Sequence, residues 1–538
     1  MCNGIDTSRR ELLRATLSGA IFTIGTAGLR LSGTASPLES VGQRPFTADL
    51  HVQLRAKRDQ VAILPGQQTA VWRYDGVVLK GDPHAFERLP GSYLPILRVR
   101  RGQKVRIDLI NQLPEATTIH WHGLSVPDTM DGHPRYAIAP GEHYVYEFEV
   151  RNRAGTYWFH AHPDGRTGAQ IYYGLAGLLI VSDDEEATLG LPSGPYDVPL
   201  VLQDRDFDGD NQLVYLSGAG GDMMGGMGDM MGGGMRNGRG MMATARQMMG
   251  FLGDRILVNG RPDFELPVAA RAYRLRLVNA SNARIFKLAW NDGSPLAVIG
   301  TDGGLLQQPL ARHYVTLAPA ERIDVWVDFA LYPVGSELTL RSLSFHGDMA
   351  MGDMMSGTSL PNGASFPVAK VRVVRTVSEK PRLPKRLAAL PEAQPQRAVN
   401  AANPRIFNVT MGMMTWGING RRFEMDGVAP DETVHHATAE LWEFRNEEVM
   451  SMAHDMHVHG LQFRVVGRAV RPGYASARNS VAGGYVDDGW KDTVLVMPGE
   501  RIRLLLDFDG YPGLFLYHCH MLEHEDVGLM RNYLIKTS

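Results

Sequence analysis

Cysteine is almost absent from this chain of 538 residues, which has only Cys2 and Cys519. So few thiols build no disulfide framework, and a lone interior thiol needs another purpose, for which a metal thiolate is the natural candidate. Charge of one sign is lacking as well: 55 Lys and Arg against 58 Asp and Glu leave a formal net charge of -3. No basic field therefore draws in nucleic acid or an anionic membrane surface. No segment approaches the ~20 consecutive apolar residues that a membrane helix needs, so no membrane span is expected. Helical periodicity is scarce. At a prior of roughly 150 residues per domain, the length implies three or four units.

The N-terminus reads as an address. Ser8, Arg9 and Arg10 precede Glu11, Leu12 and Leu13, then a short apolar stretch from Ala15 to Gly28 and small residues from Thr34 to Ser36. Residues 1–36 resemble a twin-arginine export signal. A periplasmic or otherwise exported protein is expected, working as a monomer, with Cys519 as its one remaining thiol.

What the chain has in abundance is alternation at period two. Leu97, Val99, Val105, Ile107 and Leu109 fall on one face; Arg98, Arg100, Lys104, Arg106 and Asp108 fall on the other. Such strands between Gly and Pro turns predict antiparallel β-sandwiches. They recur in a larger unit. VRIDLIN, YRLRLVN and ELWEFRN close on Asn111, Asn279 and Asn446. APGEHYVYEFEV, APAERIDVWVDF and MPGERIRLLLDF follow, and their prolines, Pro140, Pro319 and Pro498, stand 179 residues apart each time. Equal spacing predicts three copies of one β-domain, at 46–185, 196–376 and 405–538. A Met-rich insertion, 223–249, interrupts the second copy, and a Pro, Ala and Arg-rich linker, 377–404, leads into the third.

Histidines break the symmetry. Twenty residues after Pro140 comes His160 and twenty after Pro498 comes His518, whereas twenty after Pro319 comes Thr339. The middle copy thus looks structural. Ten of the eighteen histidines sit in four groups: His120 and His122 in HWHG, His160 and His162 in HAH, His454, His457 and His459 in HDMHVHG, and His518, His520 and His524 in HCHMLEH. Residues two apart on a strand share a face, so each HxH pair aims both imidazoles one way. One such pair is ordinarily surface decoration. Four of them supply eight convergent imidazoles, too many for a zinc site of three or four ligands. With the pairs set aside, His454, Cys519 and His524 remain, the two-histidine, one-thiolate composition of a blue-copper electron-transfer site. Cys519 would bind that copper while its neighbours His518 and His520 point to the other face, so a few covalent bonds join a one-electron site to a multi-electron one.

In these residues the chain resembles the multicopper oxidase family, over essentially its whole length beyond the signal. The resemblance implies an all-β fold of three consecutive cupredoxin-like Greek-key domains and four coppers per chain. In the family's pattern, His120 and His457 hold the type 2 copper. His122, His160, His162, His459, His518 and His520 hold the type 3 pair, and His454, Cys519 and His524 hold the type 1 copper. The implied reaction takes single electrons from a reductant and reduces dioxygen to water. Its four protons require acids near the cluster, for which the resemblance points to Asp131 and Glu525. The axial position, ten after the cysteine, is Leu529, with Met530 next to it.

Two reductant classes fit. Ten methionines between Met223 and Met249, spaced mainly by glycine, are soft ligands on a pliant chain and favour Cu(I) or other metal ions, with a role in copper tolerance. Met452, two before His454, matches a substrate-copper methionine of the cuprous oxidases that the chain resembles, while Met450 stands where they have an aspartate. The alternative is a laccase that oxidises phenols and aromatic amines.

Overall fold

Alternating side chains dictate strands, and in the computed structural model these form six sheets that fall in sequence into three consecutive pairs. The structure describes residues 46–216, 249–346, 358–411, 416–447 and 452–537. The expected export signal, nearly all of the Met-rich insertion, and Met450 lie outside the described residues. From Thr47 onward the chain is one unit.

The first pair comprises a four-stranded sheet, with Leu50–Val61 between Thr69–Lys80 and Lys104–Gln112, and a five-stranded sheet in which Gly155–Ala161 lies between Ala176–Ser182 and Ile119–His120. Along Leu50–Val61, Leu50, Val52, Leu54 and Ala56 are buried and the residues between them are not. Each large apolar side chain so buried contributes about 1.5–3 kcal/mol. The later pairs repeat this plan with six and five strands, then five and five. The fold is all-β: three consecutive cupredoxin-like Greek-key sandwiches. Among the described helices, none is long and apolar enough to cross a membrane.

One expectation needs correction. The sandwiches are not purely antiparallel: every one of the six sheets holds one parallel pair. In each copy the first long strand lies parallel to the strand that closes on the repeated asparagine: Leu50–Lys57 beside Val105–Gln112, Asp197–Leu202 beside Arg274–Asn279, and Arg405–Asn408 beside Trp442–Arg445. Greek-key connections bring such distant strands together, and alternation in a single strand carries no record of its neighbour's direction.

The repeated asparagines explain the repeat. Each is fully buried, and its amide donates to two backbone carbonyls: Asn111 to Glu115 and Ile138, Asn279 to Arg284 and Leu317, Asn446 to Met452 and Val496. Each backbone carbonyl receives an N–H from the next turn, from Gly141, Ala320 and Gly499 respectively. The glutamate of each turn, Glu142, Glu321 or Glu500, accepts from the backbone N–H three residues before it. Buried peptide groups must be paired, and this one device pairs them in all three copies.

Candidate metal centre

Equivalent strands of the outer sandwiches aim the histidines. In the first, Ile119–His120 pairs with Gly155–Ala161 so that His120 faces His160. In the third, His454–Val458 pairs with Gly513–Cys519 so that His457 faces His518. The two sets meet between the sandwiches, and all eleven expected ligands are fully buried.

The imidazoles divide into small groups. His120 Nε2 lies 3.3 Å from His457 Nε2. His160 Nε2 lies 3.3 Å from His122 Nδ1 and 3.4 Å from His520 Nε2. His518 Nε2 lies 2.9 Å from His459 Nε2 and 3.4 Å from His162 Nε2. On the other face of the Gly513–Cys519 strand, Cys519 Sγ is 3.4 Å from His454 Nδ1 and 3.7 Å from His524 Nδ1.

The outward nitrogens decide which inward ones carry a lone pair. Nδ1 donates to a carbonyl or carboxylate oxygen in five of these rings: His120 to the Asp131 carbonyl at 2.7 Å, His160 to Ala161 at 3.0 Å, His457 to the Asp492 carbonyl at 2.7 Å, His459 to Asp131 Oδ2 at 2.7 Å and His518 to Cys519 at 3.0 Å. Each therefore presents a bare Nε2 inward. His122 is reversed: its Nε2 donates to Asp492 Oδ1 at 3.1 Å, and its Nδ1 faces the group.

Electrostatics agree with metal ligation. Burial first, then neighbouring basic groups, push His120, His122, His454, His457, His459 and His520 well below the ordinary histidine range and bring His160 to about 3, while burial brings His162 to about 4 against the pull of Glu525. These rings are neutral at neutral pH, as metal ligands must be. Burial, then Asp455, pushes the Cys519 thiol up, so a bound cation is what would ionise it. Inward lone pairs and a dry interior fit copper, and softness fits the thiolate site.

Both expected acids lie here. Asp131 receives His120 on its carbonyl and His459 on its carboxylate, and Oδ1 has no hydrogen-bond partner. Burial, then Asp128, lifts it well above the carboxylate range. Glu525, in the short helix Leu522–Asp526, lies 3.4 Å from His162 and 3.2 Å from His518. Burial opposes its ionisation, but those two histidines outweigh it and hold Glu525 at about 2. Leu529 packs in the core cluster that contains Cys519, whereas Met530 stands opposite His518 in register, on the other face. Met452 is buried in the Cys519 cluster.

Three residues escaped the sequence reading. Asp492 mirrors Asp131, taking His457 on its carbonyl and His122 on its carboxylate. Arg322, from the middle sandwich, pairs with Asp492 at 2.6 Å. The Trp416 ring packs, tilted by 35°, against His524 at 4.4 Å between centroids. No short motif marks any of them. Asp492 is 35 residues from His457, and Arg322 belongs to the copy without ligands.

Two multicopper oxidase family models match residues 87–186 and 398–538. A laccase of Bacillus subtilis is 30% identical over 503 residues, covering 86% of this chain and 90% of that protein. The McoA multicopper oxidase of Aquifex aeolicus superposes with a TM-score of 0.73 at 32% identity, covering 91% of this chain and 97% of that one. The cell division protein FtsP of Escherichia coli is 28% identical, covering 98% of each chain.

Proposed function

The chain belongs to the multicopper oxidase family, and on that premise we propose that it is an oxidase drawing electrons from Cu(I) or other metal ions and passing them to dioxygen, which leaves as water. The observation that carries the oxidase reading is the complete set of eleven buried candidate ligands, six of whose rings are held with a lone pair inward. A structural family member whose cluster had decayed would be expected to have lost some of them. His454, Cys519 and His524 are assigned the type 1 copper, His120 and His457 the type 2, and the six remaining histidines the type 3 pair, four coppers per chain across domains at 46–185, 196–376 and 405–538. Bound copper would supply the one-electron chemistry that side chains lack.

The protein's own part is wiring and proton supply. From Cys519 Sγ a covalent path leads to His518 and His520, shortened by the hydrogen bond from His518 Nδ1 to the Cys519 carbonyl at 3.0 Å. The His520 backbone N–H donates to the Asp455 carbonyl at 2.7 Å, tying the second branch to the strand that carries His454. Asp131, lifted by burial, can hold and release a proton beside the cluster histidines, and Glu525, held low beside His162 and His518, can accept one in passing.

Methionine placement supports a metal reductant. Sixteen of the chain's 26 methionines fall at 217–248, 347–357, 412–415 and 448–451. Met249, Phe345, Met411, Trp416 and Met452, each at or near one edge of such a segment, belong to or pack on the core cluster of Cys519. Glu523, next to His524, accepts from Tyr215 at 2.7 Å and Phe251 at 3.0 Å, on either side of the longest segment. A role in copper tolerance follows, and the SRRELL pattern at Ser8–Leu13 supports export by the twin-arginine route, with the protein acting as a monomer. The test is oxygen uptake with Cu(I) and with a simple phenol, before and after deletion of residues 223–249 at matched copper loading. The ratio of the two specificity constants should fall for Cu(I) on deletion. An unchanged ratio transfers the chain to the laccase reading.

A further inference from the structure

The middle sandwich supplies none of the eleven ligands, yet one of its side chains reaches the cluster. Arg322 is fully buried and spends all five of its N–H donors. Nε donates to the Thr156 carbonyl of the first sandwich at 3.1 Å. Nη1 and Nη2 donate to the Ala320 and Asp302 carbonyls of the second, each at 3.0 Å. The same two nitrogens grip Asp492 of the third, Oδ1 and Oδ2 each at 2.6 Å. A planar fork with five fixed donors can join three bodies in one geometry, and a lysine cannot.

Asp492 transmits that geometry to the ligands. Its Oδ1 takes the Nε2–H of His122 at 3.1 Å, and its carbonyl takes the Nδ1–H of His457 at 2.7 Å. His122 is the ring whose Nδ1 rather than Nε2 faces its partners; its Nε2 lies 3.1 Å from both Asp492 Oδ1 and Thr493 Oγ1, and that hydroxyl itself donates to Asp492 Oδ1 at 3.0 Å. An independent feature points the same way. Gly123, the glycine of HWHG, has φ +86, and a Cβ there would lie 2.4 Å from Asp492 Oδ2 and 2.8 Å from Arg322 Nη2. The ligand motif itself leaves room for the ion pair.

We propose that Arg322 is a positioning residue of the cluster: through Asp492 it fixes the tautomer of His122 and the orientation of His457, so that the ligand-free middle sandwich sets the geometry of a site built by the other two. This rests on the cluster assignment above.

The test separates positioning from mere stability by comparing Arg322→Gln with Arg274→Gln. Arg274 is an equally buried arginine of the middle sandwich, paired with Asp324 at 2.6 Å and Glu186 at 2.9 Å. Copper per chain, the type 2 paramagnetic resonance signal and the blue band are read on folded protein. Arg274→Gln should lower the melting temperature and leave all three readings intact. Arg322→Gln should keep the blue band while cluster copper binds about tenfold or more weakly and the type 2 signal changes. Asp492→Asn, nearly isosteric, decides the matter if Arg322→Gln does not fold; it should show the same selective change. An unchanged type 2 signal with full cluster copper in either variant overturns the proposal, as does a loss of blue and cluster copper in equal measure. A wild-type protein that binds no cluster copper at all would instead refute the oxidase reading on which the proposal rests.

Discussion

Asp131 and Asp492 grip the cluster from opposite sides with the same pair of bonds, carbonyl to one ligand and carboxylate to another, in opposite surroundings. Asp131 comes from the first sandwich and reaches across to His459 of the third; Asp492 comes from the third and reaches across to His122 of the first. Burial raises both carboxyls, but at Asp492 the paired Arg322 pulls against it, whereas Asp131 has no cationic partner beyond histidine among the described residues and is lifted well above the carboxylate range. A carboxylate locked by a guanidinium holds geometry, and one left poised in a dry site can carry a proton. The same contact pattern thus serves two purposes, and the difference lies in what stands behind the carboxylate.

The largest expected effect tests that difference directly. Asp131→Asn keeps an oxygen for His459 but removes the proton carrier, so dioxygen reduction should fall by about 100-fold or more with copper content unchanged. Steady-state oxygen uptake alongside metal analysis checks it, and copper lost in step with activity would make Asp131 a second Asp492. Next comes the turn that places Asp131. Gly132 has φ +83, and a Cβ there would lie 2.0 Å from the Ile119 carbonyl, beside ligand His120. Gly132→Ala should destabilise by about 2 kcal/mol or more, combining left-handed strain with backbone overlap. Thermal unfolding measures it; a small shift would mean the turn relaxes and Asp131 is less fixed than it appears in register.

Much of this site was legible in the sequence. The eleven expected ligands and the two expected acids come together in one buried region, because side-chain spacing on a strand is a local property and copies one and three share it. Asp131-Gly132 reads in sequence as an ordinary turn, and only the family resemblance singled out Asp131. Nothing singled out Asp492 and Arg322, because their partners are set by how three sandwiches dock, and Lys491-Asp492-Thr493 has no spacing that signals a ligand clasp. The parallel strand pairs were hidden for the same reason. Asn111, Asn279 and Asn446 were visible as punctuation, but the hydrogen bond each donates to a distant carbonyl required the fold.

Two smaller effects leave both aspartates untouched and so serve as controls on the comparison. Leu529→Met would offer the proposed type 1 copper a thioether on the Cys519 face, which stabilises oxidised copper better than leucine does and should lower the potential, by about 59 mV for each tenfold in the equilibrium. Redox titration reads it, and a potential that holds or rises would show that this side chain does not reach the copper. Thr339, the middle copy's counterpart of His160 and His518, should matter least. Thr339→Ala is expected to change stability by no more than about 0.5 kcal/mol, with copper content intact. Any loss of copper there would show that the middle sandwich acts through more than Arg322.

The wiring itself is tested most directly at Cys519. Copper content, the blue charge-transfer band and oxygen uptake should be measured together on Cys519→Ser and on the unaltered protein. The expected result is about four coppers and a blue band in the unaltered protein, with the variant losing the band, one copper and steady-state oxygen reduction while keeping the cluster copper. Blue colour retained in Cys519→Ser would contradict the assignment.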